Sequence, residues 1–88
     1  LTANHPNPFN STTIIPFSLV ADGVIDLSVY DLVGRHVQRL RSAWTKAGQH
    51  HVRWDGRATD GSSVASGPYL VRLEMAGTIL THKMLLLK

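Results

Sequence analysis

The chain contains no cysteine, which excludes a disulfide framework and any thiolate metal site. It has no apolar run near the roughly 18 residues of a membrane-spanning helix and no signal-peptide pattern, so direct membrane insertion is not expected. Helix signals are almost missing, and without a crossover helix a parallel sheet cannot be connected. Charge of one sign is not in large excess: nine Lys and Arg face six Asp and Glu, a net charge of +3. Arg35, Arg39, Arg41, Lys46, Arg53 and Arg57 supply most of the positive charge, but they alternate with core residues and fall near loops. A nucleic-acid surface needs such charges on one face with stacking aromatics between them, so nucleic acid is not an expected partner.

What the chain does have is enough apolar content for one packed core: 88 residues, 43% of them hydrophobic, which fits a single domain spanning 1–88. It begins at Leu1 rather than at methionine, and is expected to be a module of a longer or processed protein. Residues 1–11 form a turn-rich lead-in in which Pro6 and Pro8 interrupt pairing. Phe9, its one large apolar residue, is expected to plug an end of the core.

Beyond the lead-in, strand signals follow one another. Thr12 to Val20 alternates Ile15, Phe17 and Leu19 against Ile14, Pro16 and Ser18, and Pro16 assigns it to a sheet edge. After the Asp22-Gly23 turn, Val24 to Tyr30 gives the cleanest period-two pattern, with Ile25, Leu27 and Val29 inward. Arg35 to Arg41 carries Val37 and Leu40 at a spacing of three, which predicts a bulge or an early strand end. Ser42 to Gly48 reads as a loop holding Trp44. Gln49 to Trp54 places His50, Val52 and Trp54 on one parity. The polar stretch from Asp55 to Gly67 has turn residues at both ends, with a brief pairing expected at Val64-Ala65. Tyr69 to Met75 alternates strictly, and Ala76-Gly77 turns into a terminal strand, 78–88. Its parities are mixed: Leu80, Met84 and Leu86 are assigned to the core with His82 among them, while Ile79, Leu85 and Leu87 lie on the other face. Short strands separated by turn signals every roughly 8–12 residues indicate an all-β, antiparallel β-sandwich of about seven strands.

No catalytic constellation emerges. Ser62, Ser63 and Ser66 lack a histidine–acid arrangement, and no glycine-rich phosphate loop opens a helix. Asn10-Ser11-Thr12 matches a glycosylation sequon that is common by chance. His50 and His51 are adjacent and point to opposite faces of a strand, so they cannot chelate one ion, and His5, His36 and His82 belong to other elements. Asp55 and Asp60 are weak calcium candidates, better explained as Asp-Gly turn chemistry. No cofactor is expected. Trp54 and Tyr69 share parity with core residues, which leaves Trp44 as the candidate exposed glycan contact. One alternative is therefore a carbohydrate-binding module of a polysaccharide-degrading enzyme.

The segments HPNPFNSTTI (His5 to Ile14), VYDLVGRHV (Val29 to Val37), AGQHHVRWDGR (Ala47 to Arg57), SGPYLVRLE (Ser66 to Glu74) and HKMLLLK (His82 to Lys88) together resemble the type A C-terminal sorting domains of the type IX secretion system. The chain is similar, too, to the related immunoglobulin-like domain of flagellar hook-capping proteins. Two departures stand out: Ser11 replaces a frequent proline, and Pro68 replaces a usual aliphatic residue at the start of its strand. The resemblance implies an immunoglobulin-like, non-catalytic module at the C-terminus of a larger cargo protein, secreted or held at the surface of a Gram-negative bacterium. Its implied partners are the outer-membrane secretion and attachment machinery and a cargo domain N-terminal to it in the same chain. The closing Lys83, Met84, Leu85, Leu86, Leu87 and Lys88 occupy the place of the family's sorting signal. A structural, hook-cap-like interaction domain is the remaining alternative.

Overall fold

Alternation along each strand decides which side chains meet. In the computed structural model, which describes all 88 residues, the chain forms six strands: β1 (Thr13–Leu19), β2 (Gly23–Asp31), β3 (His36–Thr45), β4 (Gly48–Trp54), β5 (Gly67–Met75) and β6 (Thr78–Leu86). β1 and β4 pair antiparallel as a two-stranded sheet, and the other four form an antiparallel sheet in the order β3-β2-β5-β6. The inward parities close one core between the sheets. Ile15, Phe17, Leu19 and Trp54 come from the small sheet, and Ile25, Leu27, Val29, Tyr69, Val71, Leu73, Met84 and Leu86 from the large one. Phe9 plugs one end, 2% exposed, with its ring edge-on to Trp54 at 5.6 Å.

Six strands form where about seven were expected. The Asp55–Gly67 stretch gives one isolated bridge, Arg57 with Ser63, beside a Val64 N–H bond to the Gly56 carbonyl at 3.1 Å, so the pairing lies just before Val64-Ala65. Local turn bonds explain this: Ser62 donates its N–H and hydroxyl to Asp60 at 2.9 and 2.6 Å, and Gly61 takes a φ of +86°. The lead-in partly takes a third strand's place beside β1. His5 and Ile14 exchange backbone hydrogen bonds of 2.9 Å, and Thr2 donates to the Pro16 carbonyl at 3.1 Å. Pro16 therefore turns its donorless nitrogen away from β4 and toward the lead-in, so the β1–β4 ladder loses no bond.

The irregular spacing in β3 is a pair of register shifts. Leu27 and Ser28 face Arg41 and Arg39, and Val29 and Tyr30 face Gln38 and His36, which leaves Leu40 and Val37 as the extra residues. Past the bulges β3 continues to Thr45, so Trp44 lies in a strand and not in a loop. It pairs with Val24 on the outer face because Ala43 and Thr45 keep the inward parity opposite Ile25 and Gly23. Leu80 is a second correction. It pairs with buried Leu73 and shares its face, yet is 46% exposed. Two strands do not fully cover four, and Leu80 lines an open groove with Leu19 and Val20 at the end of β1.

Candidate functional site

β6 is an edge strand whose two parities do different things. Met84 and Leu86 are fully buried, and their neighbours Lys83, Leu87 and Lys88 are exposed, with Leu85 half-buried. The strand is thus pinned by two core side chains and shows a lysine–leucine–lysine set to solvent. Neither lysine enters an ion pair: the four present are Arg35–Asp31, Arg39–Asp26, Arg57–Asp55 and Arg72–Glu74.

The backbone of this tail is held from outside by the lead-in. Leu85 donates its N–H to the Asn7 side-chain oxygen at 3.0 Å, and its carbonyl accepts from Phe9 N–H at 3.0 Å. Leu87 N–H reaches the Phe9 carbonyl at 2.8 Å, and Lys88 N–H reaches Ser66 Oγ at 2.9 Å. Since Leu85 turns its backbone groups outward, its pairing with Pro68 is a non-hydrogen-bonded one, and the missing N–H of Pro68 costs no bond to β6. Asn7, Pro8 and Pro68 with Lys83 and Leu85 line a shallow cleft of about 390 Å³ along the tail. From Ile79 to Lys83 the outward backbone groups have no neighbouring strand, because β6 ends the sheet order. Such an edge is a template for strand addition.

Asn7 and Ser66 were not found by sequence reasoning as tail contacts. Asn7 and Leu85 are 78 positions apart, and no local pattern announces a bond at that separation. The lead-in is itself fastened by Asn4, 3% exposed, which donates to Thr13 Oγ1 at 2.9 Å and to the Pro6 carbonyl at 3.2 Å.

The remaining candidate residues are scattered. Trp44 is 58% exposed beside Val24, at the opposite end of the sandwich from the tail, and the nearest ring along its sheet face, Tyr30, lies six positions on from Val24 in β2. Asp55 sits 3.8 Å from Arg57, while the Asp60 carboxyl is held below the usual range by the Ser62 hydroxyl and then by its N–H. His50 stacks on Phe17 at 5.3 Å and contacts the Lys46 carbonyl at 2.6 Å. No three His, Asp or Glu side chains converge. Trp54 and Tyr69 are core anchors, their rings edge-to-face at 5.3 Å, with Tyr69 donating its hydroxyl to the Ala65 carbonyl at 2.6 Å. Burial first, and the Asp31 charge second, push the Tyr69 phenol up.

Comparison with known proteins places this geometry. Among solved structures, dimeric latent PorU from Porphyromonas gingivalis superimposes with a TM-score of 0.77 at 22% identity, covering 97% of this chain and 9% of that one. FlgD from P. aeruginosa superimposes with a TM-score of 0.63 at 23% identity, covering 84% of this chain and 59% of that one. The chain thus spans a small part of PorU and 59% of FlgD, and at these identities the likeness is one of fold. No curated protein matches by sequence. A family model described as the FlgD Ig-like domain matches residues 10–78, stopping where β6 begins. With most of the sandwich inside that match, the chain belongs to the FlgD Ig-like domain family.

Proposed function

We propose that this domain is a non-catalytic C-terminal module that directs secretion and cell-surface attachment of a larger protein through the type IX secretion machinery. The observation that carries the reading is the tail. Its core-facing residues Met84 and Leu86 hold it in the sandwich, and Lys83, Leu87 and Lys88 remain on the surface, the two lysines in no ion pair. A folded domain that offers a fixed, charged and apolar terminus suits a receptor that docks along a cleft or adds a strand. The sequence resemblance to type IX sorting domains runs through this segment. The near-complete coverage of this chain by 9% of PorU supports a small unit appended to a large one. The Gram-negative surface is the location that the reading implies.

The test fuses the domain to a folded reporter in a host with that machinery. Surface display of the fusion, and retention of the reporter alone inside the cell, is the expected outcome; equal retention of both contradicts the reading. Family membership favours one second reading, an interaction domain of the kind found in FlgD. It predicts specific association with a neighbouring structural protein and no effect on export.

A further inference from the structure

The interior is left open at one place. Leu19 and Val20 at the end of β1, with Leu73, Met75 and Leu80 of the β5–β6 hairpin, line an apolar cavity of about 340 Å³. Val20 is fully exposed, and Leu80 faces inward yet is about half exposed to this opening.

The lead-in points at what belongs there. It runs antiparallel to β1 along its outer edge, bonded His5 to Ile14 and Thr2 to Pro16. Traced back toward Leu1 it therefore heads for Leu19 and the open groove. The two bonds are one residue out of step, His5 facing Ile14 but Thr2 facing Pro16, so the lead-in bulges between them. In the register set by Thr2, Leu1 lies opposite Phe17, in keeping with its packing against the core. The residue before Leu1 falls opposite Ser18, which, like Ile14, turns its backbone groups to this edge and makes no outward bond there. The second residue before Leu1 falls opposite Leu19 and shares its inward face.

We propose that, in the longer protein that the secretion reading calls for, the chain just upstream of Leu1 continues as a third strand beside β1 and closes this groove. An apolar side chain at the second residue before Leu1 covers Leu80. The inference rests on the reading of the domain as an appended module, and it adds a specific contact: the linker from the cargo is part of the sandwich. The exposure of Leu80 and Val20 is then a consequence of where their cover is encoded.

Amide exchange at Ser18 tests this, compared between the 88-residue chain and the same chain carrying its natural upstream residues. The expected result is an exchange rate at Ser18 slowed by about ten-fold or more in the longer chain, with no dependence on protein concentration. Equal exchange in the two chains overturns the proposal. Protection that grows with concentration in the 88-residue chain assigns the groove to a second copy and overturns it as well. A companion pair, extended by Val-Thr-Val-Thr or by Gly-Ser-Gly-Ser before Leu1, separates strand formation from mere added length: only the first is expected to raise the Tm, and an equal Tm counts against the strand. Neither measurement reads export, so a failure here leaves the secretion reading standing, and a failure of export leaves this one standing.

Discussion

Met84 and Leu87 stand three positions apart and answer to different physics. Met84 is wholly buried and Leu87 is half exposed. Met84→Ala is expected to cost about 2–5 kcal/mol by urea unfolding, the usual cost of a cavity in a packed core, whereas Leu87→Ser should stay within about 0.5 kcal/mol. Tyr69 makes a prediction in pH. Its phenol titrates above the ordinary value when folded, so the folded state holds this proton more tightly than the unfolded chain does. The stabilisation is complete below the ordinary tyrosine pKa of about 10 and is lost as pH rises through the higher folded value. Tyr69→Phe should remove that alkaline component of the stability profile and lower stability near neutrality by about 1 kcal/mol through the lost bond to Ala65. Trp54, Tyr69 and Phe9 were legible as core residues because large rings on an inward parity have few other places to go. Leu80 was misread by the same rule, since parity reports which face a side chain takes and not whether a second sheet reaches over it.

At the scale of elements, the lead-in and β6 behave as one unit joined by Asn7 and Phe9. Asn7→Ala should leave the fold intact, cost about 0.5–1.5 kcal/mol, and speed amide exchange at Leu85 while leaving Val71 in β5 unchanged. Equal protection of Leu85 in both forms would show that the lead-in does not hold the tail. Much of the strand framework was readable from alternation, and even the bulges of β3 showed in the spacing of Val37 and Leu40, the residues the register leaves over. The loop expected from Ser42 to Gly48 begins only after Thr45, so Trp44 falls in β3. Pairing with Gly23 to Asp26 carries the strand through it instead, and that partner is invisible to a local window. The clamp on the tail was illegible for the same reason, as it joins the two ends of the chain.

At the scale of the whole molecule, the sandwich pairs two strands with four, and the inequality sets where its surfaces are. One end holds the lead-in and the anchored terminus. The other leaves Val20, Val24, Trp44, Ile79 and Leu80 exposed. Removal of Lys83 to Lys88 would take Met84 and Leu86 out of the core and confuse loss of a signal with loss of the fold. The direct measurement therefore changes only what the tail displays: a reporter fusion carrying Lys83→Glu, Leu87→Ser and Lys88→Glu together, checked for an unchanged thermal transition and then assayed for surface export in a host with type IX machinery. A folded variant that remains inside the cell while the parent fusion reaches the surface is the predicted result. Export of the folded variant at the parent's level would contradict the account.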